Sequence, residues 1–246
     1  SEQQLQYSNW KRAIEPWAGY TPVIAGMGNH EFLGHTFDDN SGDAMQCDQF
    51  PYESESAEAI FAAAFVNPEN GPESEDGASY DPNPNRQDFP GYKENVFYYT
   101  YDNVAMVVLN SNYWYSPSLP QKTYLGGNLH GYIMDNQLAW LKKTLADLEK
   151  DENIDFVFIT QHTPAFPSGG HIQDSMWYGG SNEPRPYVAG KPVDKGIIER
   201  RDAFLKTLME HAKVVALLTG HEHNYSRLLL KNGVKIYAED KYRPAS

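Results

Sequence analysis

The sequence predicts an α/β fold, and three observations support this prediction. Three short apolar runs have the length and the β-branched content of buried strands, two patterns have the apolar spacing of amphipathic helices, and one further pair of runs fits a hairpin. Strands and helices that alternate along a chain are typical of an α/β sheet core. In such folds, functional sites form in the loops at the carboxyl ends of the strands.

Each of the three predicted strands leads into a loop that contains histidine. The strands are predicted at 21–25, 156–160 and 214–219, and the loops read Gly-Met-Gly-Asn-His-Glu, Gln-His and Gly-His-Glu-His. The hairpin is predicted from 95–101 and 104–110, which are joined by a tight Asp-Asn turn. These strand ends are therefore the first places to look for a functional site.

The predicted helices follow from apolar residues at intervals of three and four positions. One helix is predicted at 137–149, where four leucines share a face and Asp135 or Asn136 can cap the amino terminus. A second is predicted at 199–211, and a shorter one at 56–65. These helices alternate with the strands, as the α/β prediction requires.

The composition excludes several classes of protein. Of the 246 residues, 40% are hydrophobic, which is enough to form a buried core. Cys47 is the single cysteine, so neither an intrachain disulfide nor a cysteine-rich zinc module is possible within this sequence. The net charge of −13 argues against nucleic acid or an anionic membrane as a partner, and no apolar run is long enough to span a membrane.

The acidity is concentrated in a segment at about 38–94. This segment contains fourteen acidic and two basic residues, so the remainder of the chain is nearly neutral. Its many prolines and its composition predict a solvated surface excursion. The alternatives are a lid or a calcium-binding loop that uses Asp38, Asp39, Asp43 and Asp48, although their spacing does not match an EF-hand. A near-neutral remainder is compatible with a phosphorylated substrate.

The histidine-containing loops favour a metal site with nitrogen and oxygen ligands. His221 and His223 are two positions apart, so both side chains can address one site in an extended backbone. His162 follows a second strand, and Asn29 adds an amide oxygen beside the imidazole nitrogens. The other histidines at positions 35, 130 and 211 are expected to be surface or hydrogen-bonded core residues.

The order of these motifs resembles a known family. Gly28-Asn29-His30-Glu31, His162 and Gly220-His221-Glu222-His223 are similar to the last three motifs of the calcineurin-like metallophosphoesterases. The sequence His-Asn-Tyr-Ser-Arg at 223–227 resembles the purple acid phosphatase branch more closely. The resemblance covers about 10–236, apart from the acidic segment.

The resemblance has implications for the whole chain. It implies one catalytic domain over 1–246 with an acidic insertion at about 38–94. It also implies an α+β four-layer architecture, in which two packed mixed β-sheets are flanked by helices and the metal site lies at the strand ends.

The resemblance further implies two metal ions bridged by a hydroxide that attacks phosphorus. The ions would be iron with zinc, manganese or a second iron. Asn29, His162 and His221 would hold one ion, and His223 would belong to the other.

Three further residues would complete the implied catalytic machinery. His30 would lie near the transferred phosphoryl group, and Glu31 would fix its tautomer. His171, in a Ser-Gly-Gly-His loop, would bind phosphate or protonate the leaving group. The alternative for His171 is a solvent-exposed loop residue.

Two motifs of the superfamily are absent from this sequence. The Asp-x-His or Asp-x-Gly motif and the Gly-Asp motif would supply the bridging aspartate, and the single Gly-Asp step, at 42–43, lies in the wrong order. We therefore expect that the chain is incomplete at its amino terminus, so that a missing segment or a second chain completes the site.

The sequence predicts a metal-dependent phosphohydrolase that acts on a phosphorylated small molecule, a phosphate monoester. A phosphodiesterase or nucleotidase is the alternative on the same fold, since the aromatic loops at 112–115 and 176–178 could stack on a base; they could equally be packing residues. A non-catalytic binding or structural protein is an alternative of another class. The composition and the resemblance favour a secreted or periplasmic location.

Overall fold

The computed structural model describes residues 2–32, 51–117, 119 and 123–230, and the chain is a mixed α/β protein. The α-helices are α1 (Glu2–Ala18), α2 (Tyr52–Glu55), α3 (Ala57–Ala64), α4 (Asp135–Lys150) and α5 (Ile197–Met209). The strands are β1 (Phe97–Tyr101), β2 (Val104–Val108), β3 (Phe156–Gln161), β4 (Tyr187–Val188), β5 (Lys191–Pro192) and β6 (Val214–Thr219). Among these helices, none has the length and hydropathy that a bilayer span requires.

Four strands form a mixed sheet in the order β1-β2-β3-β6. β1 and β2 are antiparallel, whereas β2, β3 and β6 are parallel to one another. Helix α4 connects β2 to β3, and α5 connects β3 to β6. The carboxyl ends of β2, β3 and β6 therefore meet at one edge of the sheet, while β4 and β5 form a separate antiparallel pair.

Most predicted elements are confirmed. The hairpin pairs Tyr101 with Val104 across a two-residue turn, in which Asp102 has a φ of 51°. Asp tolerates this left-handed backbone better than most residues, which explains why the Asp-Asn pair forms the turn. The strands predicted at 156–160 and 214–219 and the helices predicted at 137–149, 199–211 and 56–65 are all present.

Two strand predictions are wrong in part. Residues 22–28 have no regular secondary structure and pair with no strand of the described residues, and Val23 and Ile24 are exposed. Strand β6 forms as predicted but is not buried, because it is an edge strand of the described sheet and leaves Val215 and Leu218 about half exposed (49% and 47%). The strand propensity of an apolar run does not show whether a neighbouring strand will be present to pair with it.

The main core lies between the sheet and helices α4 and α5. The four leucines of the predicted α4 face are all buried, and Phe204 and Leu208 of α5 are buried as well. A buried side chain of this size contributes roughly 1.5–3 kcal/mol relative to exposure. A smaller core joins Tyr7 of α1, Phe61 of α3 and Met27, and Met27 lies two residues before Asn29.

Part of the acidic segment is buried, which contradicts the prediction of a solvated excursion. Glu75, Phe89 and Tyr92 are each fully buried. The Glu75 carboxylate accepts hydrogen bonds from the backbone N–H groups of Asn136 and Gln137, each at 3.0 Å, and from the hydroxyls of Tyr92 (2.7 Å) and Tyr80. The four aspartates considered for calcium lie outside the described residues.

The amino-terminal cap of α4 differs from the predicted one, Asp135 or Asn136. The residue at the cap position is Met134, whose side chain makes no capping hydrogen bond. The two amides bound by Glu75 are those that an Asp or Asn cap normally satisfies. A carboxylate at this position also interacts favourably with the positive end of the helix dipole. A residue 60 positions earlier thus replaces the expected local cap.

Candidate metal centre at the carboxyl ends of the strands

Three of the predicted metal ligands lie where chain segments meet at the sheet edge. His162 follows β3 directly, and His221 follows β6 after a single glycine. Because β3 and β6 are parallel neighbours with Gln161 opposite Thr219, both histidines emerge at the same edge. Asn29 begins a short 3₁₀ turn, Asn29–Phe32, in the amino-terminal part of the chain. This turn lies at the same edge of the sheet, beside His162.

The polar atoms of these three residues converge. His162 Nε2 lies 2.7 Å from Asn29 Oδ1 and 3.1 Å from His221 Nδ1. Ligand atoms that bind one ion at about 2.1 Å are themselves about 3.0–3.4 Å apart in octahedral or tetrahedral geometry. The three residues that the resemblance assigns to one ion are thus near the spacing that one ion requires.

The backbone holds His221 in an uncommon conformation. Its φ is 68°, in the left-handed region that non-glycine residues rarely adopt, and only 6% of the residue is exposed. The N–H of Gly220 donates to the carbonyl of His162 at 2.9 Å, which ties the two loops together. Such strain persists only where the surroundings determine the conformation, and it is concentrated at functional sites.

A glycine loop brings His171 to the same place. The Glu222 carboxylate accepts hydrogen bonds from the backbone N–H groups of Gly169, Gly170 and His171 at 3.1–3.3 Å. The His171 ring lies 3.8 Å from the His221 ring between centroids, and 36% of the His171 side chain is exposed. No sequence pattern indicates this role of Glu222, because only the folded chain shows that it anchors the loop.

Asp174 is a further member of the site that the sequence analysis missed. Its Oδ2 lies 3.1 Å from His171 Nδ1, and its Oδ1 lies 3.5 Å from His221 Nε2. Ligand atoms of His171, Asp174 and His221 all lie within 4.8 Å of one another, so together they could also hold a cation. The available signal was an acidic residue three positions after His171, which is a common and unspecific pattern.

His130 also belongs to this group, although a surface or ordinary core position was expected. It is buried, and its ring centroid lies 5.3 Å from that of His221 and 4.0 Å from that of Tyr115. The amide Nδ2 of Asn112 is 2.6 Å from His130 Nδ1. With the amide as donor, Nδ1 is the unprotonated nitrogen and Nε2 carries the proton. We call His130, His162, His171 and His221 the histidine cluster.

The structure does not bring every predicted site residue into this cluster. His30 and His223 are exposed, and neither side chain makes a hydrogen bond or ion pair with a described residue. The Glu31 carboxylate accepts the N–H of Gly28 at 2.6 Å, and it makes no hydrogen bond with the His30 ring among the described residues, so its role toward the His30 tautomer stays a prediction. His211 lies beside Glu149, away from the cluster, and position 35 is outside the described residues.

The pKa shifts of His130, His162 and Asp174 favour the protonation states that can bind a cation. Burial lowers the pKa of His162 to about 4, and nearby histidines add to the shift. Burial also lowers the pKa of His130 to about 4, although Asp174 opposes the change. For Asp174, burial raises the pKa, but His221 and His171 outweigh it and the net pKa is lowered. Near pH 6, His130 and His162 are therefore neutral and Asp174 is ionised.

The aromatic loops favour packing over base stacking. Tyr113, Trp114, Met176 and Trp177 are all buried in the main core, where they cannot reach a ligand. Tyr115 is half-buried beside His130 and is the residue of the first loop that remains near the cluster. This burial removes most of the support that these loops gave to a nucleotidase.

Gly28 is required by its close approach to the cluster. A Cβ at this position would lie 2.8 Å from His162 Nδ1 and 3.1 Å from a Glu31 carboxylate oxygen. We therefore expect Gly28→Ala to displace His162 and to weaken zinc binding roughly 10–100-fold, the range found when the support of a metal ligand is disturbed. Zinc competition with a chromophoric chelator measures this change.

Gly170→Ala is the matched control for Gly28→Ala. A Cβ at Gly170 meets no atom within 4 Å, although this residue is in the loop that carries His171. Its zinc affinity should stay close to that of the wild type. Equal affinities for all three proteins would contradict the assignment of His162 as a ligand.

The histidine cluster offers imidazole nitrogens, Asn29 adds an amide oxygen and Asp174 adds a carboxylate, and this set of donor atoms suits zinc, iron and manganese. His221 Nε2 is buried without a hydrogen-bond partner, which is a further sign that the cluster is arranged for more than packing.

No family model, curated protein or solved structure matches this chain. The relation to metallophosphoesterases therefore stays a prediction from the motifs.

Proposed function

We propose that the protein is a metal-dependent phosphohydrolase that cleaves phosphate monoesters of small molecules. The observation that supports this most directly is the convergence of Asn29 Oδ1, His162 Nε2 and His221 Nδ1. These residues are separated by 133 and 59 positions in the sequence, yet their ligand atoms lie 2.7 and 3.1 Å apart. Their order and residue types are those of the resemblance.

The charge of this ligand set favours an anionic substrate. Asn29 is uncharged and an imidazole that binds a metal is neutral, so these three ligands would leave the charge of a divalent ion uncompensated. A bound ion would supply a Lewis acid for the phosphoryl oxygens. The strongly acidic composition of the chain does not oppose this, because nearly all of the net negative charge lies in the segment at about 38–94 and the rest of the chain is nearly neutral.

His171 is the best-placed proton donor for the leaving group. Its Nδ1 is paired with the Asp174 carboxylate at 3.1 Å, and its Nε2 makes no hydrogen bond within the described part of the chain. The His171 side chain is partly exposed, so a substrate can approach the ring. Histidine is the side chain that most often acts as a general acid or base in enzymes.

Several finer features of this proposal are supported only by the resemblance to the metallophosphoesterases. They are the second ion held by His223, the iron-containing metal pair, and the second packed sheet of a four-layer architecture. His30 as a residue near the phosphoryl group also stays a proposal, and its exposure is compatible with contact to a substrate.

Metal removal tests the proposed function. We expect a chelator to abolish hydrolysis of p-nitrophenyl phosphate and expect zinc, manganese or iron to restore it. The same assay with bis(p-nitrophenyl) phosphate separates a monoesterase from a phosphodiesterase. Hydrolysis that persists in the chelated, metal-free protein would contradict the proposal. Metal binding without turnover of either ester would instead support a non-catalytic binding protein.

A further inference from the structure

A single carboxylate lies between two histidines of the cluster that have different proposed roles. We propose that Asp174 is a positioning residue that orients both His221 as a metal ligand and His171 as the proton donor. This inference depends on the proposed function, since only that proposal gives the two histidines these roles. Asp174 itself needs no contact with the substrate or with the ion.

Asp174 Oδ1 is the carboxylate oxygen that faces a buried and unpaired nitrogen of His221. The His221 side chain is 2% exposed, and its Nε2 is buried without a hydrogen-bond partner. A buried N–H without an acceptor destabilises the native state, so native structures rarely leave one unpaired. Asp174 Oδ1 is 3.5 Å away, and a movement of about 0.6 Å would form a hydrogen bond of ordinary length.

The position of His162 decides which nitrogen of His221 carries the proton. A neutral imidazole has one N–H and one lone pair. His221 Nδ1 faces His162 Nε2 at 3.1 Å, on the side where Asn29 Oδ1 also lies. With its lone pair on that side, His221 has its proton on Nε2, facing Asp174. Asp174 therefore accepts this N–H, and this arrangement is typical of metal-ligating histidines.

Asp174 and His221 do not serve as ligands of one ion if His221 binds through Nδ1, because the lone pair of the ring then points away from Asp174. A cation held by His171, Asp174 and His221 would require the lone pair of His221 at Nε2. A neutral ring cannot offer that lone pair while Nδ1 binds an ion on the other side. The two arrangements compete for one imidazole, and the closer approach of Asn29 and His162 favours the Nδ1 side.

The second oxygen of Asp174 acts on His171 in the same way. Oδ2 lies 3.1 Å from His171 Nδ1 and accepts its proton when the ring is neutral. In the tautomer with the proton on Nδ1, the lone pair on Nε2 faces away from Asp174 and can accept a proton. The ionised carboxylate also stabilises the ring once it is protonated. One carboxylate thus sets the orientation of both rings, whose centroids are 3.8 Å apart.

The backbone around Asp174 is fixed without its side chain. Its N–H donates to the His171 carbonyl at 3.3 Å, and its own carbonyl accepts the N–H groups of Trp177 (3.2 Å) and Tyr178 (3.0 Å). Trp177 is buried in the main core. Asp174→Asn should therefore keep the loop and change only the hydrogen-bond character of the side chain, which makes it a suitable test variant.

The test compares zinc affinity and histidine tautomers in the wild type and in Asp174→Asn. We expect Asp174→Asn to bind the same number of zinc ions with roughly 10–100-fold weaker affinity. Long-range ¹⁵N NMR of the metal-free protein should show changed tautomer populations for His221 and His171. Asp174→Glu should recover part of the affinity. Asp194→Asn, whose side chain is 91% exposed, is the control and should behave as the wild type.

Two results would overturn the inference. Unchanged zinc affinity and unchanged tautomers in Asp174→Asn would show that the carboxylate orients neither ring. Loss of a whole equivalent of zinc at saturation would show that Asp174 is a ligand. Neither measurement requires turnover, so a protein that hydrolyses no phosphate ester but shows both expected changes would refute the proposed function and retain the role of Asp174.

Discussion

His221→Ala is expected to reduce kcat/KM for p-nitrophenyl phosphate by about 10³-fold or more and to remove bound metal. A metal ion contributes several kcal/mol of transition-state stabilisation, and each 1.4 kcal/mol corresponds to about tenfold in rate. His221 is central to this effect because its Nδ1 lies beside His162 and its other nitrogen faces Asp174. Metal analysis of the purified variant and steady-state kinetics measure the two losses.

A second substitution separates loss of the ligand from damage to the backbone. His221 has a φ of 68°, which glycine adopts without strain, so His221→Gly should keep this conformation more easily than His221→Ala. Both variants should lose activity and metal while keeping the wild-type far-UV circular dichroism. His211→Ala controls for the change of residue type, because His211 lies away from the cluster. Wild-type turnover in either His221 variant would refute the site assignment.

Glu75→Ala is expected to reduce the free energy of unfolding by about 3–5 kcal/mol. The substitution leaves four donors without their acceptor: the Gln137 amide and the Tyr92 hydroxyl, which are buried, and the Asn136 amide and the Tyr80 hydroxyl, which are partly buried. Each unsatisfied buried group destabilises by about 1–3 kcal/mol, although entering water will satisfy some of them. Urea denaturation followed by fluorescence measures the change.

Glu73→Ala is the matched control for this prediction. Glu73 is two residues away in the same acidic segment and carries the same charge, but it is exposed. It should change the free energy of unfolding by less than about 0.5 kcal/mol, as is usual for surface substitutions. Similar effects of the two substitutions would show that charge, and not the buried hydrogen bonds of Glu75, determines the stability of this region.

The elements that could be predicted from the sequence are those that local pattern determines. Helices α4 and α5, strands β3 and β6 and the hairpin follow from apolar spacing and turn residues within each segment. The convergence of His162 and His221 follows from the same information, because parallel neighbouring strands place their carboxyl ends together. Asn29 also lies beside His162, although the strand predicted at 21–25 before it is not present.

The features that could not be predicted depend on contacts between distant segments. Glu75 acts on a helix that begins 60 residues later, and nothing in a proline-rich acidic segment indicates which carboxylate will be buried. Asp174 and His130 lie in loops whose paths are set by anchors such as Glu222 and Asn112. Single histidines and aspartates are common, so only the folded chain distinguishes these two from surface residues.

The wide separation of the candidate ligands in the sequence has a consequence for folding. Segments 59 and 133 residues apart must all be in place before the polar atoms of Asn29, His162 and His221 can meet, so this centre belongs among the non-local contacts that slow folding. An ion bound there would act as a reversible cross-link between these segments. At a concentration 100 times its dissociation constant it would add about 2.7 kcal/mol to the stability of the native state, which links the metal supply of the protein to its resistance to unfolding.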